Sequence, residues 1–198
     1  MFFNREFLFA STSESRKNIL KKIKTNHKFV KPKCNEEYHK KIFRKKRYSP
    51  SKISKELSKI KALSIEKRDT LIIGCDTTIS FKRKLVEKSK SKKEARKRIK
   101  KMSGKKHTII STISAVYNSR LVWQHTEKTM VELRRLSSLE IKNYLSLCDK
   151  NILGCVGSYQ IEKLGPTIIK NIKGDFFNVM GFPLFHFLLF IKKFNIKK

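Results

Sequence analysis

An acid ends an apolar run at Thr70-Leu-Ile-Ile-Gly-Cys-Asp-Thr-Thr-Ile79, in a chain with 48 Lys and Arg against 16 Asp and Glu. Where acids are this scarce, a carboxylate at the mouth of a strand, Asp76, is a candidate for chemistry. Lysine-rich segments lie beside it. That combination suits a polyphosphate: cations hold the negative charge, and the carboxylate activates water or binds a divalent metal. The alternative is a turn-forming Asp at a strand end, and Asp76 alone does not separate the two.

Other residues have weaker local signals. Ser11-Thr-Ser13 follows the apolar Phe7-Leu-Phe-Ala10 and suits the cap of a helix. The free N–H groups and dipole of that helix make an anion site, and Arg16 in its first turn adds charge. From local sequence alone, a plain cap with a surface Arg is the better reading. Lys61 and Lys88 are two of 37 lysines and, by frequency alone, solvated surface. Glu36, in a basic stretch, is as ordinary. His107 opens a strand after Lys105-Lys106 and reads as structural. No second His stands at metal-ligand spacing, and there is no Gly-x-Ser-x-Gly elbow, Walker loop or dinucleotide fingerprint.

Elements must hold these residues in place. Phe7–Ala10 reads as a buried strand, about Glu14 to Lys24 as a helix with Ile19, Leu20 and Ile23 inward, and Phe29-Val30 as the start of a second strand. Residues 33–50, rich in Lys and Arg before Ser49-Pro50, read as a mobile basic loop. Helical spacing resumes over Ile53, Leu57, Ile60, Lys61 and Leu63, before the strand ending at Asp76. Phe81–Leu85 looks like a hairpin return, and Ser91 caps a basic helix that runs through Met102 to a stop at Ser103-Gly104.

Strands follow at His107–Tyr117, Leu121–Gln124 and Glu127–Leu133. Ser137-Ser-Leu-Glu140 fits a capping box for a helix through Leu147. After a glycine-punctuated segment, Gly154–Gly165, come a strand at Pro166–Ile172, a turn at Gly174–Asn178 and an apolar closing helix. Strands and helices intermingle without a regular βαβ repeat. The expectation is a mixed-sheet α/β protein, one domain over residues 1–198 with two lobes around a cleft.

A hydrophobic fraction of 39% suffices for a core at 198 residues. Cys34, Cys75, Cys148 and Cys155 form no CxxC pair, which suits a reduced cytoplasmic protein with incidental thiols. The opening, Met1–Ala10, has charges inside its apolar stretch, so no secretory pattern is expected. The run Gly181–Ile191 is shorter than the ~20 apolar residues a bilayer span needs and reads as a buried helix, so no membrane partner is expected. The net charge of +32 would suit nucleic acid. It is carried mostly by Lys, 37 against 11 Arg, and is spread along the whole chain, which favours a solvated basic surface over a nucleic-acid interface.

Order gives these pieces more weight than any has alone. Ala10-Ser-Thr-Ser13-x-x-Arg16, Asn35-Glu36, Leu57-Ser58-x-x-Lys61-Ala62, Ile73-Gly-Cys-Asp-Thr77, Lys88, Ser103-Gly104-x-x-His107, Gly157-Ser-Tyr159 with Glu162, and Gly174-Asp-Phe-Phe-Asn-Val-Met-Gly-Phe-Pro-Leu184 follow one another. The succession resembles the Maf family of nucleoside triphosphate pyrophosphatases, from about residue 7 to 192. The resemblance implies an elongated mixed sheet with flanking helices and a central cleft, like the inosine-triphosphate pyrophosphatases. It also implies hydrolysis of a nucleoside triphosphate to monophosphate and pyrophosphate with Mg²⁺ or Mn²⁺, and makes a homodimer plausible. By the same resemblance Asp76 is the general base or metal-linked carboxylate, and Glu36 assists the metal. Ser11, Ser13, Arg16, Lys61 and Lys88 hold phosphates.

The chain departs from the family pattern in places. Ser-Pro-x-Arg becomes Ser13-Glu14-Ser15-Arg16, Asp-Glu becomes Asn35-Glu36, and Gly-Lys-Pro becomes Glu87-Lys88-Ser89. Ser15, Thr77 and Glu162 fall where the family's branches differ. Thr77 resembles the branch acting on dTTP and UTP, whereas Glu162 resembles the one acting on 7-methyl-GTP, so the base stays open. The competing class is a catalytically degenerate basic protein that binds nucleotide or nucleic acid.

Overall fold

The computed structural model describes residues 6–23 and 25–196. Seven strands form one mixed sheet: β1 (Phe7–Ala10), β2 (His27–Val30), β3 (Leu71–Phe81), β4 (Lys84–Val86), β5 (Lys106–Tyr117), β6 (Arg120–Leu133) and β7 (Ile169–Lys173). Their order is β2-β1-β3-β5-β6-β7, with β4 beside β3. β1 runs parallel to β2 and β3, and the remaining pairs are antiparallel. The helices are α1 (Glu14–Lys22), α2 (Glu36–Lys45), α3 (Pro50–Leu63), α4 (Lys92–Met102), α5 (Ser138–Leu147), α6 (Phe176–Val179) and α7 (Leu184–Ile196). The helix end expected at Lys24, and the charged opening at residues 1–5, lie outside the described residues.

Two cores share one face of β3. Leu71, Ile73 and Cys75 pack with α1 through Ile19 and Leu20, with Phe182 of the turn before α7, and with α7 through Phe187. Four residues on, Ile79 and Phe81 pack with α4 and α5 through Ala95, Ile99, Ile141 and Tyr144. Thr77, on the same face by the period-2 alternation of a strand, sits at the seam between these lobes. α3 covers the opposite face, where Ala62 packs on Ile72.

Asp76 is not at a strand end, as the sequence suggests, because β3 runs five residues further. β5 pairs with β3 from Leu71 through Ser80, so the polar Thr77, Thr78 and Ser80 stay in the ladder. The other edge of β3 is what ends. β1 pairs last at Gly74 and β4 begins pairing at Ile79, which leaves residues 75–78 without a strand partner on that side. The cleft opens there.

α3 lies close against β3 because it presents Ser54, Ser58 and Ala62, all fully buried, at four-residue spacing. Ser54 Oγ donates to the Asp76 carbonyl at 3.0 Å, and Ser58 Oγ meets Ser114 Oγ at 2.7 Å. Gly74 permits the approach: a Cβ there would lie 2.1 Å from the Ser58 carbonyl oxygen and 2.6 Å from Ala62 N. Backbone on both sides cannot give way cheaply. Gly74→Ala is expected to cost at least about 2 kcal/mol, a fall of roughly 4–8 °C in Tm by calorimetry. Because Lys61 rides on the displaced helix, activity should fall with it.

Three other expectations are corrected. Residues 33–50 are not a loop, since α2 occupies Glu36–Lys45. Asn35 Oδ1 caps it by accepting from Tyr38 N at 3.0 Å, and its Phe43 packs on Ile53 and Leu57. The two strands expected at Leu121–Gln124 and Glu127–Leu133 are one, β6, held continuous by pairing along the whole of β5. The turn expected at Gly174–Asn178 contains the start of α6, capped by Asp175 Oδ1, which accepts from Phe177 N at 2.8 Å. α7 buries Leu184, Phe187 and Ile191 but leaves Phe185 and Leu189 exposed, so it closes the core with one face only. Among the described residues no helix is long and apolar enough to cross a membrane.

His107 is structural, as expected. It is buried in the second lobe with Nε2 2.6 Å from the Tyr159 hydroxyl. Burial lowers its pKa from 6.5 to about 4. The unfolded chain therefore binds the extra proton first as pH falls. Stability from the neutral form is complete above pH 6.5 and lost between there and pH 4, on the order of 3 kcal/mol. Denaturant titrations across that window should show the loss, and His107→Gln should flatten it.

Candidate active site

A cleft of about 590 Å³ opens where the two cores meet, a volume in the range of small-molecule sites. Its walls are the β1–α1 turn, Glu36 and Lys40 of α2, Lys61 of α3, Asp76 and Thr77 of β3, Lys88, and the segments around 154–163 and 179–181. All of the residues singled out from sequence line it: Ser11, Ser13, Ser15, Arg16, Glu36, Lys61, Asp76, Thr77, Lys88 and Glu162.

At its centre one ammonium bridges two carboxylates. Lys61 Nζ donates to Asp76 Oδ1 at 2.8 Å and sits 3.1 Å from Glu36 Oε2. Both Lys61 and Asp76 are buried, exposed by only 6% and 4%. Burial pulls the Lys61 pKa down, but Asp76 and then Glu36 outweigh it and hold the amine above its ordinary value. Burial pushes Glu36 up, but Lys61, Lys40 and Lys88 hold its carboxyl below the usual range. Lys61 and Glu36 are therefore held in their charged forms, with Asp76 as the ammonium's second partner.

Asp76 Oδ2 is buried and has no hydrogen-bond partner among the described residues. An unpaired buried carboxylate oxygen is costly unless a cation or donor arrives. Two hard oxygen donors, one of them uncommitted, fit a Mg²⁺-type ion, which usually takes one or two carboxylates and fills its remaining positions with water and substrate phosphate.

The β1–α1 turn forms the adjacent wall. Ser13 is the N-cap of α1 and makes no side-chain cap bond; its N–H donates to Ser11 Oγ at 3.3 Å. The first-turn N–H groups of α1 thus face the cleft with hydroxyls beside them, an arrangement that binds anions. Arg16 is buried and largely committed to the protein. Its Nε donates to the Gly181 carbonyl at 3.0 Å, Nη1 to Ser11 Oγ at 3.2 Å and the Cys75 carbonyl at 2.9 Å, and Nη2 to Thr77 Oγ1 at 3.1 Å. Arg16 therefore pins β1, β3 and the 181 turn together. Gly181 has φ +89°, left-handed backbone that favours glycine, and its carbonyl faces this cluster.

The three positions where branches differ do not form one group. Ser15 Oγ donates to Glu162 Oε1 at the cleft rim, whereas Thr77 lies on the floor with Arg16 and, at 2.9 Å, Ser111 Oγ. Lys88 is exposed at the mouth. Ser89, where the family pattern has Pro, meets Ser158 Oγ at 2.8 Å, and Arg98 Nη1 reaches both hydroxyls and the Val156 carbonyl. This ties the segment after β4 that carries Lys88 to the segment carrying Glu162. Asn35 serves as the α2 cap.

Sequence reasoning missed Lys40, Ser54 and Arg98. Lys40 was hidden in the supposed loop, and Arg98 among like charges on a basic helix. Ser54 had a legible signal, since it shares its helical stripe with Ser58 and Ala62.

The family model described as Maf-like protein matches residues 6–194. The chain is 34% identical to the "7-methyl-GTP pyrophosphatase" of Bartonella quintana over 191 residues, 96% of each chain. It is 30% identical to the "Nucleoside triphosphate pyrophosphatase" of Pelagibacter ubique, covering 91% of this chain and 93% of that one. With the "dTTP/UTP pyrophosphatase" of Thermosipho melanesiensis it shares 32% identity over 90% of this chain and 92% of that one. Family match and near-full-length identity agree: the chain belongs to the Maf-like protein family.

Proposed function

We propose that this protein hydrolyses a nucleoside triphosphate between the α and β phosphates, yielding monophosphate and pyrophosphate with Mg²⁺ or Mn²⁺. The observation that carries the reading is the uncommitted, buried Asp76 Oδ2 beside Lys61 and Glu36, in a cation-lined cleft. The family and the printed activities of three full-length relatives support it.

Each residue then has a task. The α1 N-terminus, with Ser11 and Ser13, binds phosphate oxygens, and Lys88 closes over them from the mouth. Arg16 adds charge while holding Ser11 and Thr77 in position. Asp76 and Glu36 would hold the divalent ion, which offsets phosphate charge and lowers the pKa of a bound water. The Asp76 carboxylate also orients the attacking water and accepts its proton. Water's oxygen bonds to phosphorus, the bridging P–O bond breaks, and pyrophosphate and the nucleoside monophosphate leave. Lys61 keeps Asp76 aimed through its contact with Oδ1, which suits a reaction that depends on positioning and charge neutralisation.

At the rim, Glu162 offers carboxylate oxygens, one of them held by Ser15. Such an acceptor favours a base edge with N–H donors, or a cationic base, over a pyrimidine carbonyl. We therefore place 7-methyl-GTP ahead of dTTP and UTP. Assaying pyrophosphate release from a nucleotide panel with Mg²⁺ or Mn²⁺ tests both statements. Glu162→Gln should lower kcat/KM for 7-methyl-GTP by roughly 10–100-fold and narrow its margin over UTP, the size expected for losing a charge-assisted hydrogen bond. No release from any nucleotide, with salt-sensitive binding to random nucleic acid instead, would reject the enzyme reading.

A further inference from the structure

A second cluster of metal-ligating side chains stands away from the cleft, where no sequence spacing announces it. His125 and Glu127 alternate on one face of β6, and His186 comes down on them from the first turn of α7. The two imidazoles stack at 3.8 Å between centroids and 13° between planes. Glu127 Oε2 lies 3.3 Å from His125 Nε2 and 3.4 Å from His186 Nδ1. One donor atom from each residue, nitrogen, nitrogen and oxygen, falls within 4.8 Å of the others. None of the three lines the cleft.

The two separations from Glu127 Oε2 suit a tetrahedral ion, and the imidazoles, stacked face to face at 3.8 Å, must turn to aim both lone pairs at it. Bonds of about 2.0–2.1 Å to imidazole nitrogen and carboxylate oxygen set neighbouring donors roughly 3.3 Å apart. The cluster is also braced. Trp123, two residues before His125, stacks on Phe190 at 4.4 Å, one turn after His186. Glu127 Oε1 is occupied by the Lys128 N–H at 3.1 Å, which leaves Oε2 to face the rings. The side chains keep partial exposure, 27% for His125, 23% for Glu127 and 45% for His186, so an ion can enter and a water can take the fourth position.

We propose that His125, Glu127 and His186 form a binding site for Zn²⁺ or a similar borderline divalent ion, which fastens α7 to β6. Two imidazoles and one carboxylate suit Zn²⁺, Co²⁺ or Ni²⁺, whereas Mg²⁺ and Ca²⁺ prefer all-oxygen sets. The site is distinct in donors and place from the two carboxylates of the cleft.

Chelator-treated full-length protein, titrated with Zn²⁺ in excess Mg²⁺ by calorimetry, tests this. Wild type and Asp76→Asn should both bind Zn²⁺ saturably, and Co²⁺ should give the intense visible bands of a tetrahedral site in both. His125→Ala and His186→Ala should each weaken that binding by more than about 10-fold and remove the bands, since even outer-shell partners are worth roughly 10–100-fold. Zn²⁺ should raise the Tm of wild type but not of His186→Ala. Pyrophosphate release in Mg²⁺ should be the same in both, which separates this site from the proposed activity. Glu127→Gln, which preserves shape and keeps one acceptor oxygen, should also weaken Zn²⁺ and decides the matter if a His variant fails to fold. Absence of saturable Zn²⁺ binding, or binding unchanged in these variants, would show the trio to be an ordinary hydrogen-bonded packing contact.

Discussion

Asp76→Asn lowers pyrophosphate release by on the order of 10³-fold or more, while stability changes by less than about 2 kcal/mol. Asn has the shape of Asp and can still accept from Lys61 through its carbonyl oxygen. Lys61 keeps Glu36 at 3.1 Å, so no buried charge is stranded. The fold should survive, and Ser54 should still hold the residue 76 carbonyl. What disappears is the anionic Oδ2, and with it proton acceptance and half of the metal's carboxylate set. The loss should therefore fall mainly on kcat, because the groups assigned to the phosphates are untouched.

Lys61→Met should be the most damaging substitution to stability. Lys61 neutralises Asp76 and Glu36 together, and Met fills its volume while leaving the buried Asp76 without its ion-pair partner and Glu36 with only the more distant Lys40. Breaking a buried pair by removing one partner costs about 3–5 kcal/mol. In a chain of 198 residues that is roughly 6–20 °C in Tm. The loss should shrink when the carboxylates are protonated or when Mg²⁺ is added, because either supplies the missing neutralisation. A substitution acting only through packing would respond to neither. Thermal melts at neutral and mildly acidic pH, with and without Mg²⁺, separate the two causes.

The sheet and most helices were legible because their signals are local. Ser91 and Ser137 do cap α4 and α5, and Ser137 forms the expected reciprocal box with Glu140. The failures share a cause in long-range packing. Thr77, Thr78 and Ser80 look like the end of a strand, yet β5 keeps them paired, Thr77 Oγ1 meets the Ser111 hydroxyl and Thr78 Oγ1 donates to the Pro50 carbonyl. α2 looks like a loop because Lys and Arg dominate it. Phe43, the buried anchor that makes it a helix against α3, is a single letter among charges.

The candidate site was legible as a list but not as a mechanism. Sequence order gathered the ten cleft residues, and the structure brings them to one cleft. It could not show that Lys61 bridges both acids, that Arg16 is committed to protein acceptors, or that Ser15 reaches Glu162. Those depend on the approach that Gly74 allows and on the turn at Gly181. Nor could spacing reveal His125, Glu127 and His186, since the histidines are brought together only when α7 docks on β6.

The central claim is α–β cleavage under Asp76, and product analysis by ³¹P NMR tests it most directly. Wild-type protein with Mg²⁺ and a nucleotide from the panel should give the monophosphate and pyrophosphate in equal amounts, and Asp76→Asn under the same conditions should give neither. Diphosphate with orthophosphate from wild type, or matching product signals from the folded Asp76→Asn variant, would contradict the account.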